Sequence, residues 1–168
     1  MTKISKYLEQ DPTITKAVVS YAVKGDKVLL GVRNSSSTNL GVNKVAGLGG
    51  KLDPNETSDK ALVRELKEEV GIIPTKFRNV GRVIFLNPHE TKWNLDVDVY
   101  IIDEWDGEPT ELEKITPEWF LISELPLDRM FSDNKYWLPR VLEGKHVNAT
   151  FLFDENGIVE SEIQFSEG

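Results

Sequence analysis

The chain has 168 residues, 39% apolar and 29% charged, with 28 acids against 20 Lys and Arg for a formal net charge of −8. That length suits one domain with a real core. The acidic balance argues against a protein that tracks nucleic-acid phosphates, which needs an excess of Lys and Arg on one face. With no cysteine, disulfides and thiolate metal sites are excluded. An anionic ligand would need local help, most simply a bound cation.

Taken in chain order, residues 1–14 read as a short, mobile polar lead-in without an apolar signal-peptide core to the single domain 1–168. No window approaches the eighteen or so uninterrupted apolar residues of a membrane span, so the expectation is a cytoplasmic protein with no membrane partner. Residues 16–23 (KAVVSYAV) and 27–33 (KVLLGVR) predict two strands about the turn Lys24-Gly25-Asp26. Residues 34–41 (NSSSTNLG) predict a polar loop, and 45–51 (VAGLGGK) a short extended segment ending in a glycine turn. The clearest helix is predicted over 58–70, with Thr57 or Ser58 as its N-cap and Gly71 as the left-handed residue after its end. Leu62, Leu66 and Val70 recur at i, i+4, i+8 and form one apolar stripe.

Further strands are predicted at 80–86 and 95–102, the latter alternating Leu95, Val97 and Val99 with Asp96, Asp98 and Tyr100. A short strand is predicted at 119–122, and a second helix at 132–142 that Pro139 should kink or shorten. A closing hairpin turns on Asn156-Gly157. Strands on both sides of a central helix predict an α+β sandwich. His89 and His146 stand far apart without a second histidine nearby, and read as surface or loop residues.

The segment that carries chemistry runs from Gly50-Lys-Leu-Asp-Pro-Asn-Glu56 to Arg64-Glu65-Leu66-Lys67-Glu68-Glu69-Val70-Gly71-Ile72. At about 3.6 residues per turn, Glu65, Glu68 and Glu69 share one helix face, and Arg64 falls beside Glu68 at i+4. The apolar stripe lies on a neighbouring face, so the helix can anchor to the core while presenting three carboxylates together. Such a cluster resists full ionisation, and a hard divalent cation, Mg²⁺ with Mn²⁺ as substitute, removes the penalty. Mg²⁺ commonly bridges carboxylates to substrate phosphates, which points to phosphate chemistry. Gly49 and Gly50, lacking a Cβ, let backbone approach a ligand or turn a carbonyl toward the cation. A bare Glu-x-x-Glu-Glu run usually faces water. Seven fixed residues at one spacing (Gly50, Glu56, Arg64, Glu65, Glu68, Glu69, Gly71) have a chance frequency below about 10⁻⁵ in a chain of this length.

These residues resemble the Nudix box, Gly-x5-Glu-x7-Arg-Glu-U-x-Glu-Glu-x-Gly-U with U apolar, without a departure over residues 50–72. The resemblance implies an αβα sandwich with a central mixed β-sheet and a catalytic loop–helix, and hydrolysis of a diphosphate linked to another moiety by attack of water on phosphorus. It implies that Glu65, Glu68 and Glu69, with the Gly49 carbonyl, bind one or more Mg²⁺, and that Arg64 and Glu56 orient the loop–helix. Glu68 is the first candidate for general base; some relatives use an acid from a distant loop, for which Glu113 in the acidic stretch 108–113 is the candidate. Val28-Leu29-Leu30-Gly31, Gly47-Leu48-Gly49-Gly50-Lys51, Trp119-Phe120 and the run 130–137 (MFSDNKYW) are similar to the oxidised purine nucleoside triphosphatases. That group converts 8-oxo-dGTP or 2-oxo-dATP to the monophosphate and pyrophosphate. The implied partner is a nucleotide, not a nucleic-acid polymer, and the resemblance leaves oligomeric state and metal count open.

By the same resemblance Phe131, Asp133 and Asn134 would contact the base, Arg33 the phosphates, and Lys51 joins the substrate-binding set. The group carries a base-contacting asparagine where this chain has Ala46, and a second acid where it has Asn134, which bears on which base is chosen. Other readings stand beside these. Phe131, Trp119 and Trp137 are of a type that fills cores, Asp133 can serve as the N-cap of the second helix, and Arg33 can be a solvated strand-end residue. Hydrolysis of a different diphosphate (an ordinary dNTP, a dinucleotide polyphosphate, ADP-ribose) and a silent nucleotide-binding domain are the alternatives.

Overall fold

The computed structural model describes residues 1–33 and 44–168; the predicted polar loop 34–41 lies outside the described residues. In chain order the elements are α1 (Lys3–Leu8), β1 (Thr15–Lys24), β2 (Lys27–Arg33), β3 (Val45–Ala46), β4 (Leu48–Lys51), α2 (Ser58–Val70), β5 (Ile73–Leu86), β6 (Leu95–Asp106), β7 (Ile115–Leu121), α3 (Asn134–Leu142), β8 (Lys145–Asp154) and β9 (Gly157–Glu167). Among the described residues nine strands form one sheet in the order β3-β2-β1-β6-β5-β8-β9, with β4 also pairing β1 and β7 pairing β2. The β1–β6 and β5–β8 pairs are parallel and the remaining pairs antiparallel, so the sheet is mixed.

Two apolar layers cover the sheet. On one face the α2 stripe Leu62, Leu66 and Val70 meets Val18, Leu29, Leu48, Tyr100 and Ile102. On the other, Trp137, Leu138 and Val141 of α3 meet Tyr21, Val99, Ile101 and Phe151. The architecture is therefore the αβα sandwich, and it corrects the simple alternation expected in β6. Because helices cover both faces, Val99, Tyr100, Ile101 and Ile102 are all buried, and Asp96 is buried too. Asp96 is kept ionised there by Arg82, whose Nε and Nη2 both donate at 2.7 Å, and by Lys16 Nζ at 3.2 Å. These bonds outweigh burial and hold its pKa below the ordinary value.

Helix α2 begins and ends where local chemistry requires. The Thr57 hydroxyl accepts from the Lys60 N–H at 3.3 Å, and Gly71 adopts φ 73° while its N–H returns to the Leu66 carbonyl. Long-range packing decides the other elements. Strand β5 starts seven residues before the expected 80–86, and its register against β6 shifts three times before Gly81, which breaks the two-residue alternation. Strand β7 likewise extends back to Ile115 along β2. Pro139 sits inside α3 without ending it, and Asn156-Gly157 joins β8 to β9 as expected.

The lead-in 1–14 is not a mobile polar segment: α1 buries Ile4 and Tyr7 against Leu86 and Leu152. Glu160 of β9 accepts from the Lys3 and Ile4 N–H groups at 3.1 and 2.9 Å, satisfying donors that a helix start leaves open. Among the described residues no helix is long and apolar enough to cross a membrane.

Candidate active site

Arg64 is the hub of the loop–helix. Its Nε and Nη2 grip Glu56 at 2.8 Å each, a bidentate fork that fixes both groups. Nη1 reaches Glu65 at 3.0 Å and Glu68 at 3.3 Å, Nη2 donates to the Lys51 carbonyl at 3.1 Å, and Nε lies 3.1 Å from Asp53. Glu56 closes the loop by accepting from the Asp53 N–H at 2.8 Å. The Arg64 hydrogen bonds hold the Glu56 carboxyl down at about 2. One guanidinium therefore ties strand β4, the loop 52–57 and the face of α2 into a unit, as the box spacing implies.

The inner carboxylates are the reverse case. Glu69 is buried and accepts from the Gly49 N–H at 2.7 Å. Burial, then repulsion from Glu65, pushes its pKa up to about 8, against the opposing pull of Arg33 and the Gly49 N–H. Glu65 is also raised, chiefly by burial, despite its bond to Arg64. Gly50 makes room for it: a Cβ there would lie 2.6 Å from the Glu65 carboxyl carbon, so any side chain would displace that carboxylate. Glu68 is the more exposed member.

The structure brings two distant residues to this set. Glu113 adds to the repulsion felt by both Glu65 and Glu69. It sits in the tight turn Leu112-Glu113-Lys114-Ile115, where both central residues have positive φ (49° and 62°) and the Ile115 N–H returns to the Leu112 carbonyl at 2.9 Å. Such turns normally take Asn-Gly. Non-glycine residues held there carry strain of the kind that clusters at functional sites. Arg33, at the end of β2, also attracts Glu69, and its Nε is buried without a hydrogen-bond partner among the described residues.

The donors fit a hard divalent cation. Their side chains are carboxylates, the two inner ones are destabilised as anions, and the bare Gly50 backbone leaves room for the Glu65 carboxylate beside it. Among the described residues no three acids or histidines are already gathered on one point as a closed cage, because Arg64 and the Gly49 N–H share the carboxylates out between them.

The expected base contacts lie on the opposite face of the sheet, at the start of α3. Phe131 is 40% exposed and so is not core, whereas Trp137 is core and Trp119 packs against the α2 layer beside Trp105. Asp133 occupies the N-cap position of α3 but makes no capping bond. It is buried and accepts instead from Trp137 Nε1 at 2.9 Å, and burial outweighs that bond to lift its pKa to about 6. Asn134 is buried with Nδ2 donating to the Phe131 carbonyl at 3.1 Å. Ala46, half-buried, pairs with Gly31 across β3–β2.

Sequence reasoning missed Tyr21. Its ring meets Trp137 edge-on at 6.1 Å, packs where a Gly47 Cβ would lie 2.8 Å away, and feels the charge of Asp133. It thereby links β1 and the Ala46-Gly47 segment to α3. Tyr21 lies inside an apolar strand pattern, so nothing local distinguishes it from core.

Comparison with known proteins agrees with this geometry. The NUDIX domain model matches residues 13–141. The chain is 32% identical over 137 residues (82% of this chain, 85% of the relative) to an oxidized purine nucleoside triphosphate hydrolase of Danio rerio. It is 36% identical over 88 residues (51% and 64%) to an 8-oxo-dGTP diphosphatase of Escherichia coli strain K12. A mutator MutT protein from Bacillus halodurans shares the fold with a TM-score of 0.73 at 18% identity, over 90% of this chain and 98% of that one. The protein belongs to the Nudix family, and is a Nudix hydrolase related to the oxidised purine nucleoside triphosphate hydrolases.

Proposed function

We propose that this protein is a Mg²⁺-dependent pyrophosphohydrolase that converts oxidised purine nucleoside triphosphates, 8-oxo-dGTP or 2-oxo-dATP, to the monophosphate and pyrophosphate. The observation that carries the reaction is the Arg64-centred loop–helix, which leaves Glu65 and Glu69 poorly stabilised as anions. Glu65, Glu68 and Glu69, with Gly49, would hold the ion. When bound, it neutralises the carboxylates and substrate phosphate oxygens and acidifies water. Arg64 and Glu56 keep the carboxylates in register, which is a positioning role. Glu68, the exposed member, takes the proton of the attacking water, with Glu113, whose charge is felt by Glu65 and Glu69, as the second candidate acid. The new P–O bond forms as the anhydride P–O bond between the α- and β-phosphates breaks, releasing the monophosphate and pyrophosphate. Arg33 and Lys51 offset phosphate charge.

The base reading is supported by Asp133, buried beside Trp137 and Tyr21, with Phe131 exposed next to it as a stacking surface. A second reading, hydrolysis of a different nucleoside-linked diphosphate, is favoured by one observation: Ala46 has no hydrogen-bonding group where a base contact is implied. The relatives also include an NAD-capped RNA hydrolase of Pseudomonas putida strain W619, 28% identical over 119 residues but covering 41% of that protein.

Purified protein with Mg²⁺ should be assayed on a panel of oxidised and ordinary nucleoside triphosphates, dinucleotide polyphosphates and ADP-ribose, identifying products by phosphorus NMR. Monophosphate and pyrophosphate from oxidised purines ahead of the panel is the expected result. No turnover of any member would sink the enzyme reading; turnover without base preference would leave the reaction and remove the assigned substrate.

A further inference from the structure

Asp98 of β6 pairs with Val18 of β1, and Val18 pairs with Gly50 of β4, so these three residues form one row across the sheet. Helix α2 meets both ends of that row. At the Gly50 end it contributes Glu65, whose carboxyl carbon lies 2.6 Å from where a Gly50 Cβ would be. At the Asp98 end it contributes Ser58, whose Oγ donates to Asp98 Oδ2 at 2.5 Å. Two strand spacings cover about 9.6 Å. The helix from Ser58 to Glu65 rises about 10.5 Å in about two turns, which puts both side chains on one face at the right separation.

Beside the first bond a second runs the other way. Tyr100, two residues along β6, donates from Oη to Asp59 Oδ1 at 2.7 Å. The helix thus gives a hydroxyl proton to a sheet carboxylate at Ser58 and receives one on its own carboxylate at Asp59. Burial, then the bond to Asp59, pushes the Tyr100 hydroxyl above its ordinary value and keeps it a donor. Its ring is buried and meets Phe77 edge-on at 5.9 Å. Tyr100 pairs in turn with Ser20, whose Oγ donates to the Leu48 carbonyl at 2.9 Å, next to Gly49.

The apolar stripe holds α2 down on the sheet, but apolar burial has no preferred direction along the helix axis. Glu65 is repelled by Glu68 and Glu113, and Glu69 by Glu65 and Glu113, so the carboxylate end of the helix is under load. Arg64 ties it to Lys51 through a long side chain with many rotors. Ser58, Asp59, Asp98 and Tyr100 have few rotors, and their hydrogen bonds are directional. We propose that Ser58–Asp98 and Asp59–Tyr100 form a register lock, which sets where α2 lies along the row and so how Glu65 and Glu69 sit against Gly50 and Gly49. The four are positioning residues that act through the helix. Their effect on rate rests on the pyrophosphohydrolase reading; their effect on geometry does not.

The variants S58A, Y100F and S58A/Y100F remove the bonds with little change of shape, and S58T keeps a hydroxyl. The Gly49 amide proton, which is donated to Glu69 at 2.7 Å, reports the register by NMR without turnover. In S58A/Y100F its signal should move upfield and its exchange should quicken, while S58T stays close to the wild type. D59A, a change at an exposed position, removes the second bond without altering the core and should move the signal the same way. A Gly49 signal unmoved by D59A and by S58A/Y100F would overturn the lock. In the nucleotide assay at saturating Mg²⁺, kcat should fall about tenfold in S58A/Y100F, part of the roughly 10²-fold cost of an ångström of misplacement, with KM little changed. An unchanged kcat, a loss confined to KM, or S58T as slow as S58A would also overturn it. A wild type inactive on every nucleotide would defeat the proposed function, and the Gly49 signal would still decide the lock.

Discussion

In the proposed function, the two faces of the sheet meet one nucleotide in opposite ways. On the α2 face, the candidate reacting end is built mainly from one continuous segment, 49–69, in which Arg64 ties Glu56, Glu65, Glu68 and the Lys51 carbonyl together. On the α3 face, the proposed base end draws on Tyr21 of β1, Ala46 of β3 and the Phe131–Trp137 segment, and its acid, Asp133, is buried against an indole N–H. The first arrangement tolerates little variation, since each member holds several others. The second can change its base preference one residue at a time, as Ala46 and Asn134 suggest by departing from the pattern of the related group.

The largest expected effect lies on the α2 face. Glu68→Gln should lower kcat by about 10³-fold, within the usual range for losing a general base, with the fold intact by circular dichroism. Arg64→Lys keeps the charge but loses the planar fork that grips Glu56. Turnover should fall about 10²-fold, as expected when reacting groups are misplaced by an ångström. A steady-state assay of the two variants side by side checks that the second loss is smaller.

On the α3 face the effects should be smaller and visible in stability. Trp137→Phe removes the indole N–H that donates to the Asp133 carboxylate at 2.9 Å, costing about 1–2 kcal/mol at pH 7.5 by denaturant titration. The pH dependence has a defined sign. Asp133 titrates at about 6 in the folded protein against an ordinary value of 3.8, so between those limits the folded state binds more protons than the unfolded one. Its contribution to stability is fully present below pH 3.8 and is lost as pH rises through 6. Wild type should therefore lose stability relative to Asp133→Asn between pH 5 and pH 7.5; a difference that does not change with pH would contradict the burial of that carboxyl.

The same contrast explains what was legible in the sequence. Helix α2 has the predicted bounds, cap and left-handed Gly71, and the Arg64–Glu68 pair forms, because each depends on residues within about two turns of one another. Glu113 could be named only through a family resemblance, since its approach to Glu65 and Glu69 depends on a strained turn more than forty residues away in sequence. Helix α1 was hidden because its start is satisfied by Glu160, at the far end of the chain. The extra length of β5 was masked by register shifts that break alternation, and the capping role open to Asp133 was lost to Trp137, one turn further along α3. Tyr21 looked like core because it is core, as well as the floor beneath Asp133.

The central claim is that the reaction resides on one face and the choice of base on the other. Its most direct test is the ratio of kcat/KM for 8-oxo-dGTP over dGTP, measured in the wild type, Glu68→Gln and Ala46→Asn. Glu68→Gln should depress both substrates together and leave the ratio unchanged, while Ala46→Asn should shift the ratio by about tenfold, the scale set by one base hydrogen bond. A ratio moved by Glu68→Gln, or unmoved by Ala46→Asn, would contradict the division of labour.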